Sequence, residues 1–257
     1  MTGAAGTSHR VPGYAGDSGA GHRRVQRVPW LLLLAVLWIP LLASGACERK
    51  AAPGAEAQAV TPGSLPAASP TAPPPAEVPV VLCLGDSLTA GFGLPQDQSY
   101  PSLLQQRLRD GGYPHRVVNA GVSGDTSAGG LARLDWLLRQ RVDVMILALG
   151  GNDGLRALST QALESNLSQI IERAQARGIR ILLAGMRMPA NYGADYQRRF
   201  AAVYPALAKR HGVSLLPFLL EGVAGDTSLN QPDGIHPTAE GARKVSETVW
   251  NSLKPLL

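Results

Sequence analysis

The sequence predicts one α/β domain, a parallel sheet of five strands with helices on both faces. Three observations point there. From residue 78 to the C-terminus, short apolar runs alternate with amphipathic segments. The runs are apolar almost without a break, as strands buried on both sides require. Polar, glycine-rich motifs follow several of the runs, and an open sheet of this kind binds ligands at the carboxyl ends of its strands. The span of about 180 residues suffices for a single ordinary core.

The first strand is VVLCL, residues 80–84. Its Cys83 has no basic neighbour to stabilise a thiolate and reads as a small core residue. SYPSLLQQRLRD (99–110) follows as the first helix, with Ser99 as its N-cap and Gly111-Gly112 as its stop. RVVN (116–119) is the second strand, and a helix over 127–139 comes next. VDVMILAL (142–149) is the third strand. In the helix after it, Leu163, Leu167, Ile170, Ile171 and Ala174 recur on one face, and Gly178 ends it. IRILLA (179–184) is the fourth strand. The helix over 195–210 contains Pro205, which predicts a break or kink. VSLLPF (213–218) is the fifth strand, and the last helix starts at Pro237 or Thr238. No internal repeat interrupts this order.

What precedes the domain is of another kind. Arg23, Arg24 and Arg27, then the 13 apolar residues WLLLLAVLWIPLL (30–42), then ASGAC read as an export signal. A bilayer-spanning helix wants about 20 such residues, so residues 1–46 are expected to be a removed signal peptide with a long preamble. The small residues before Cys47 resemble the lipobox of bacterial lipoproteins, with Ser44 where that pattern prefers leucine. Lipidation of Cys47 is therefore one expectation, and a cut after Ala46 by an ordinary signal peptidase is the other. Residues 47–77 are rich in Ala, Pro, Gly, Ser and Thr, cannot bury enough apolar surface to offset ordering, and read as an extended tether. The domain is then 78–257, exported and either periplasmic or held at a bacterial envelope membrane.

Charge and cysteine count exclude several classes of function. Residues 1–46 hold four of the 24 Lys and Arg and one of the 19 Asp and Glu, so the rest carries a net charge near +2. It has no basic block, hence no electrostatic case for nucleic acid. Two cysteines and no His-rich spacing give no expected metal site, and no cofactor is expected. His115, after Pro114, and His211, before Gly212 at a helix end, read as structural.

Four motifs carry chemistry. LGDSLTAG (84–91) places Ser87 where the first strand ends, its hydroxyl free to face outward, although Gly-Asp-Ser is also an ordinary turn. NAGVSGDTS (119–127) follows the second strand with glycines that let backbone N–H groups approach a ligand, or else simply precedes a helix capped by Thr126 or Ser127. LGGNDG (149–154) ends the third strand. Its Asn152 can donate to a developing negative charge without titrating, and Asp153 reads as a structural or capping carboxylate. PDGIHPTAEG (232–241) sets Asp233 and His236 three residues apart, so the carboxylate can hold one imidazole nitrogen while the other serves a nucleophile.

In this order and on this alternation, the motifs resemble the SGNH (GDSL) hydrolase superfamily, and GDSLTAG, NAGVSGDTS, LGGNDGLR, MRMPANYG and DGIHP are similar to its bacterial thioesterase, arylesterase and lysophospholipase branch. The resemblance implies a flavodoxin-like sheet in the order 2-1-3-4-5. It implies Ser87 as nucleophile, Asp233 and His236 as its triad partners, and an oxyanion hole of the Ser87 N–H, the Gly124 N–H and the Asn152 side chain. Gly124 rather than Gly121 is implied by the family block alone. MPANYG (188–193) matches a loop near the family's pocket, which makes Asn191 and Tyr192 candidates for substrate contact. Thr89 stands where the nucleophile elbow of α/β-hydrolases needs a second glycine, which argues against that fold. The expected activity is hydrolysis of carboxylic esters or thioesters, lysophospholipids included, through an acyl-enzyme. A carbohydrate O-acetylesterase on the same fold is the alternative, and a noncatalytic binding module is a third reading.

Overall fold

The computed structural model describes residues 77–257. The expected signal peptide, Cys47 and all but the last residue of the expected tether lie outside the described residues. Five parallel strands, β1 (Val80–Gly85), β2 (Arg116–Gly121), β3 (Val144–Ala148), β4 (Arg180–Ala184) and β5 (Ser214–Leu216), stand in the order β2-β1-β3-β4-β5. The helices between them are α1 (Ser87–Ala90), α2 (Tyr100–Asp110), α3 (Ser127–Leu137), α4 (Gly151–Leu155), α5 (Thr160–Gln175), α6 (Ala194–His211) and α7 (Ala239–Leu253). α2 packs on α7, while α3 and α6 both pack on α5, so the sheet is covered by two groups of helices.

Position in the sheet explains the burial of each strand. β1 and β3 are central and buried along their whole length, and β1 puts Val81, Leu82, Cys83 and Leu84 entirely out of water. Each such aliphatic side chain contributes about 1.5–3 kcal/mol relative to leaving it exposed. β2 lies at an edge, and Arg116 and Asn119 on it are exposed, so burial on both sides holds for the inner strands and not for this one. The Cys83 thiol is driven well above its ordinary pKa by burial, which leaves it an apolar core group.

Some element limits differ from expectation for local reasons. The third strand starts at Val144, and Asp143 just before it ties the strands on either side: its carboxylate accepts the Val80 N–H at 2.8 Å and pairs with Arg141, and its carbonyl accepts the Arg180 N–H at 3.1 Å. Ser99 is the N-cap residue of α2, as expected, and its carbonyl accepts the Leu103 N–H at 3.1 Å, yet its hydroxyl donates to the Gln96 carbonyl at 2.9 Å and makes no side-chain cap bond to the helix. The expected break at Pro205 is absent, since α6 runs unbroken from Ala194 to His211. Pro205 lies on the exposed face of that helix, where water can take the carbonyl its missing N–H leaves free.

His115 and His211 both lie apart from the four motifs. His115 is buried, and desolvation, with Arg180 adding to it, lowers its pKa. His211 Nε2 lies 2.8 Å from Ser168 Oγ, tying α6 to α5.

Candidate active site

The carboxyl ends of the five strands bring the four motifs to one edge of the sheet. β1 stops at Gly85, the Asp86 carboxylate accepts the Leu88 N–H at 3.0 Å as the cap of α1, and Ser87 is the first residue of that turn. The Ser87 hydroxyl therefore leaves the sheet at the top of a central strand. Thr89 is buried beneath it, with Oγ1 3.1 Å from the Tyr100 hydroxyl, packing that a glycine could not supply.

Ser87 Oγ lies 2.9 Å from His236 Nε2, and His236 Nδ1 lies 2.7 Å from Asp233 Oδ2. The other Asp233 oxygen accepts the backbone N–H groups of Ile235 and His236 at 2.9 and 3.0 Å. These bonds make the carboxylate face the ring. The backbone N–H of His236 first, then its ring and the Ile235 N–H, hold the Asp233 pKa down at about 2. An ionised Asp233 favours the tautomer with its proton on Nδ1, which leaves Nε2 as an acceptor aimed at the serine.

The loop carrying His236 is fixed from both sides. An antiparallel bridge between Asn230 and Pro237 closes it, and the Gln231 side-chain amide donates to the carbonyls of Phe92 and Pro237 at 2.7 and 2.9 Å. The Phe92 ring packs on the imidazole, centroids 4.6 Å apart. Neither residue was found from the sequence, because Gln231 acts across 139 positions of chain and nothing local marks it.

Three potential donors belong to residues that line the same cavity. Neither the Ser87 N–H nor the Gly124 N–H has a hydrogen-bond partner among the described residues. The Asn152 amide donates one N–H to the Asp125 carbonyl at 2.9 Å, which sets the direction of its second. Gly121 is unavailable for this role. Its N–H donates to Asn119 Oδ1 at 2.9 Å, and a Cβ there would come within 2.2 Å of the Ala90 backbone nitrogen. Gly124, by contrast, is exposed at φ +81°, and a Cβ there would meet only the Arg156 guanidinium, at 3.7 Å. Asp153 points away from the site and accepts both the N–H and the hydroxyl of Ser127, at 2.8 and 2.6 Å.

Ser87, Gly124, Asn152 and His236 line one cavity of about 690 Å³. Its other walls are largely apolar: Leu88, Phe92, Leu155, Met186, Met188, Pro189, Phe218, Leu220 and Ile235. Asn191 and Tyr192 do not line it. Asn191 is exposed, and the Tyr192 hydroxyl donates to the Leu155 carbonyl at 2.9 Å, so this segment meets the cavity through Met188 and Pro189 instead. Asp86 also lines the cavity although it is buried, and that burial, only partly offset by the Leu88 N–H, pushes its carboxyl up to about 6. Among the described residues no group of His, Cys, Asp and Glu is arranged to hold a metal ion.

Comparison with known proteins agrees with this geometry. Residues 83–244 match the model of the GDSL-like lipase/acylhydrolase family. The chain is 47% identical over 178 residues to esterase TesA of Pseudomonas aeruginosa, covering 69% of this chain and 89% of that one. It is 42% identical over 178 residues to thioesterase 1/protease 1/lysophospholipase L1 of Escherichia coli K12, covering 69% and 84%. The crystal structure of TesA superposes with a TM-score of 0.68 at 47% identity, over 69% of this chain and 99% of that one. With an unbroken serine–histidine–aspartate line on a five-stranded 2-1-3-4-5 sheet, and relatives this similar along the whole domain, the chain belongs to the GDSL-like lipase/acylhydrolase family.

Proposed function

We propose that this domain hydrolyses carboxylic esters and thioesters through an acyl-enzyme on Ser87, and that the acyl group is of medium or long chain. One observation carries the reading: the hydrogen-bonded line Ser87 Oγ–His236–Asp233, with separations of 2.9 and 2.7 Å. His236 Nε2 takes the hydroxyl proton as Oγ attacks the acyl carbon. The carbonyl oxygen becomes an oxyanion bounded by the Ser87 N–H, the Gly124 N–H and the Asn152 amide. His236 then returns the proton to the leaving alcohol or thiol as the C–O or C–S bond breaks. Water, activated by the same imidazole, attacks the acyl-enzyme, releasing the carboxylic acid and restoring Ser87. Losing one donor of such a hole costs about a hundredfold or more in turnover.

The apolar walls support the choice of acyl group. A chain in this cavity leaves water for Leu88, Phe92, Met188, Phe218 and Ile235, each methylene contributing about 0.8 kcal/mol. The names of the relatives, esterase and thioesterase/lysophospholipase, are compatible with it. Export and anchoring through Cys47 belong to the same proposal and rest on the leader sequence.

A series of p-nitrophenyl esters of increasing acyl length, run on the protein and on Ser87→Ala, tests the reading. Activity should rise beyond acetyl and vanish in the variant, together with labelling by a fluorophosphonate probe, while the melting temperature holds. Hydrolysis restricted to acetyl would favour the O-acetylesterase. Undiminished turnover in Ser87→Ala would remove Ser87 from the mechanism, and no labelling of the unaltered protein would favour a binding module.

A further inference from the structure

The three donors proposed for the oxyanion hole come from three separate segments, after β1, β2 and β3. We infer that Arg133 on α3 is the positioning residue that holds them to a common point, an inference that rests on the hole proposed above. Its guanidinium makes two contacts in different directions. Nη2 donates to the Gly85 carbonyl at 3.0 Å, two residues before Ser87. Nε donates to Asp125 Oδ2 at 2.8 Å, one residue after Gly124. The carbonyl of that same Asp125 accepts the Asn152 amide at 2.9 Å. One side chain therefore joins the segment before the nucleophile to the glycine loop, and through Asp125 to the asparagine.

Physical features make this link stiff. The side chains of Arg133 and Asp125 are only 21% and 12% exposed, so solvent and salt screen their charge-assisted bond less than at an open surface. The guanidinium is planar with donors fixed in direction, and a lysine has one nitrogen to place in either of the two positions. Space has been left for the carboxylate: a Cβ on Gly129 would come within 1.8 Å of Asp125 Oδ1. The Gly85 carbonyl also accepts the Val122 N–H at 3.1 Å, so the two loops are stapled twice. Arg133 does not line the cavity, and the role assigned is therefore positioning and not contact with substrate.

The test is a double-mutant cycle read in kcat and KM on a short p-nitrophenyl ester, below the melting temperature of every variant. Arg133→Met should lower kcat by about tenfold or more with KM within about twofold, the pattern of an interaction made only in the transition state. Arg133→Lys should recover part of the loss. Asn152→Ala combined with Arg133→Met should lose clearly less than the product of the two single losses, because the asparagine is one of the donors that Arg133 places. If Arg133→Met does not fold, Asp125→Asn, which keeps the shape and removes the charge, carries the same comparison. Losses that multiply in the double variant would overturn the inference and leave the hole standing, as would a lowered melting temperature with kcat intact. An Asn152→Ala variant of normal kcat would instead overturn the hole, and this inference with it.

Discussion

Asp86 and Asp233 flank the same serine and histidine, yet their surroundings drive them in opposite directions. Asp233 stands at an exposed turn where two backbone N–H groups and an imidazole reward its charge, which lowers its pKa to about 2. Its stabilising contribution is present above the ordinary carboxylate range and is lost as pH falls toward 2. Asp86 is 3% exposed, and burial raises its pKa to about 6. A raised value means that the folded state binds the proton more tightly, so its contribution is complete below about pH 4 and is lost as pH rises through 6. Two pKa units correspond to about 3 kcal/mol, an upper figure for this group. Urea titrations between pH 4 and pH 7 should show the protein losing stability relative to Asp86→Asn across that window, and parallel curves would refute the assignment. The Asp233–His236 spacing and the position of Ser87 after a strand were legible in the motifs, since local geometry fixes both. The burial of Asp86, the exclusion of Gly121 and the reach of Arg133 were not, because each depends on chain that arrives from elsewhere in the fold.

Among the elements, long apolar runs and periodic helices were readable and short polar turns were not. α5 carries Leu163, Leu167, Ile170, Ile171 and Ala174 inward as its period requires, because 3.6 residues per turn impose that face wherever the helix packs. The one-turn helices α1 and α4 have no period to detect, and both lie in the site. Pro205 shows how context overrides propensity. A helix-interior proline costs about 3 kcal/mol relative to alanine, against a saving of about 1 kcal/mol from a stiffer unfolded chain. α6 carries that cost without breaking, because its opposite face buries Phe200, Val203, Tyr204 and Leu207. Pro205→Ala should therefore stabilise the protein by about 1–2 kcal/mol, read as a higher urea midpoint at constant slope. A lower midpoint would mean that the proline is favourable where it stands.

At the scale of the whole molecule, residues 77–257 hold the sheet, the core and all four motifs, so chemistry and anchoring should separate. A chain starting at residue 77 is expected to hydrolyse esters with unchanged kcat and KM. Its Glu77–Arg141 pair is exposed and contributes little. Cys47→Ala in the full chain should keep that activity and move it from the membrane fraction to the soluble one. Identical partitioning of the two would remove the lipid anchor from the proposal. By itself the sequence determined the class of fold and the number of strands, since strand burial is written in consecutive residues, and the resemblance of its motifs to a family singled out Ser87, His236 and Asp233 as the candidate triad. Only the tertiary structure decided that the Gly121 N–H is taken by Asn119, which side chains wall the cavity and which segments Arg133 ties together from a distance. Those depend on distances between residues far apart in the chain, and such distances exist only once the sheet has closed its loops together.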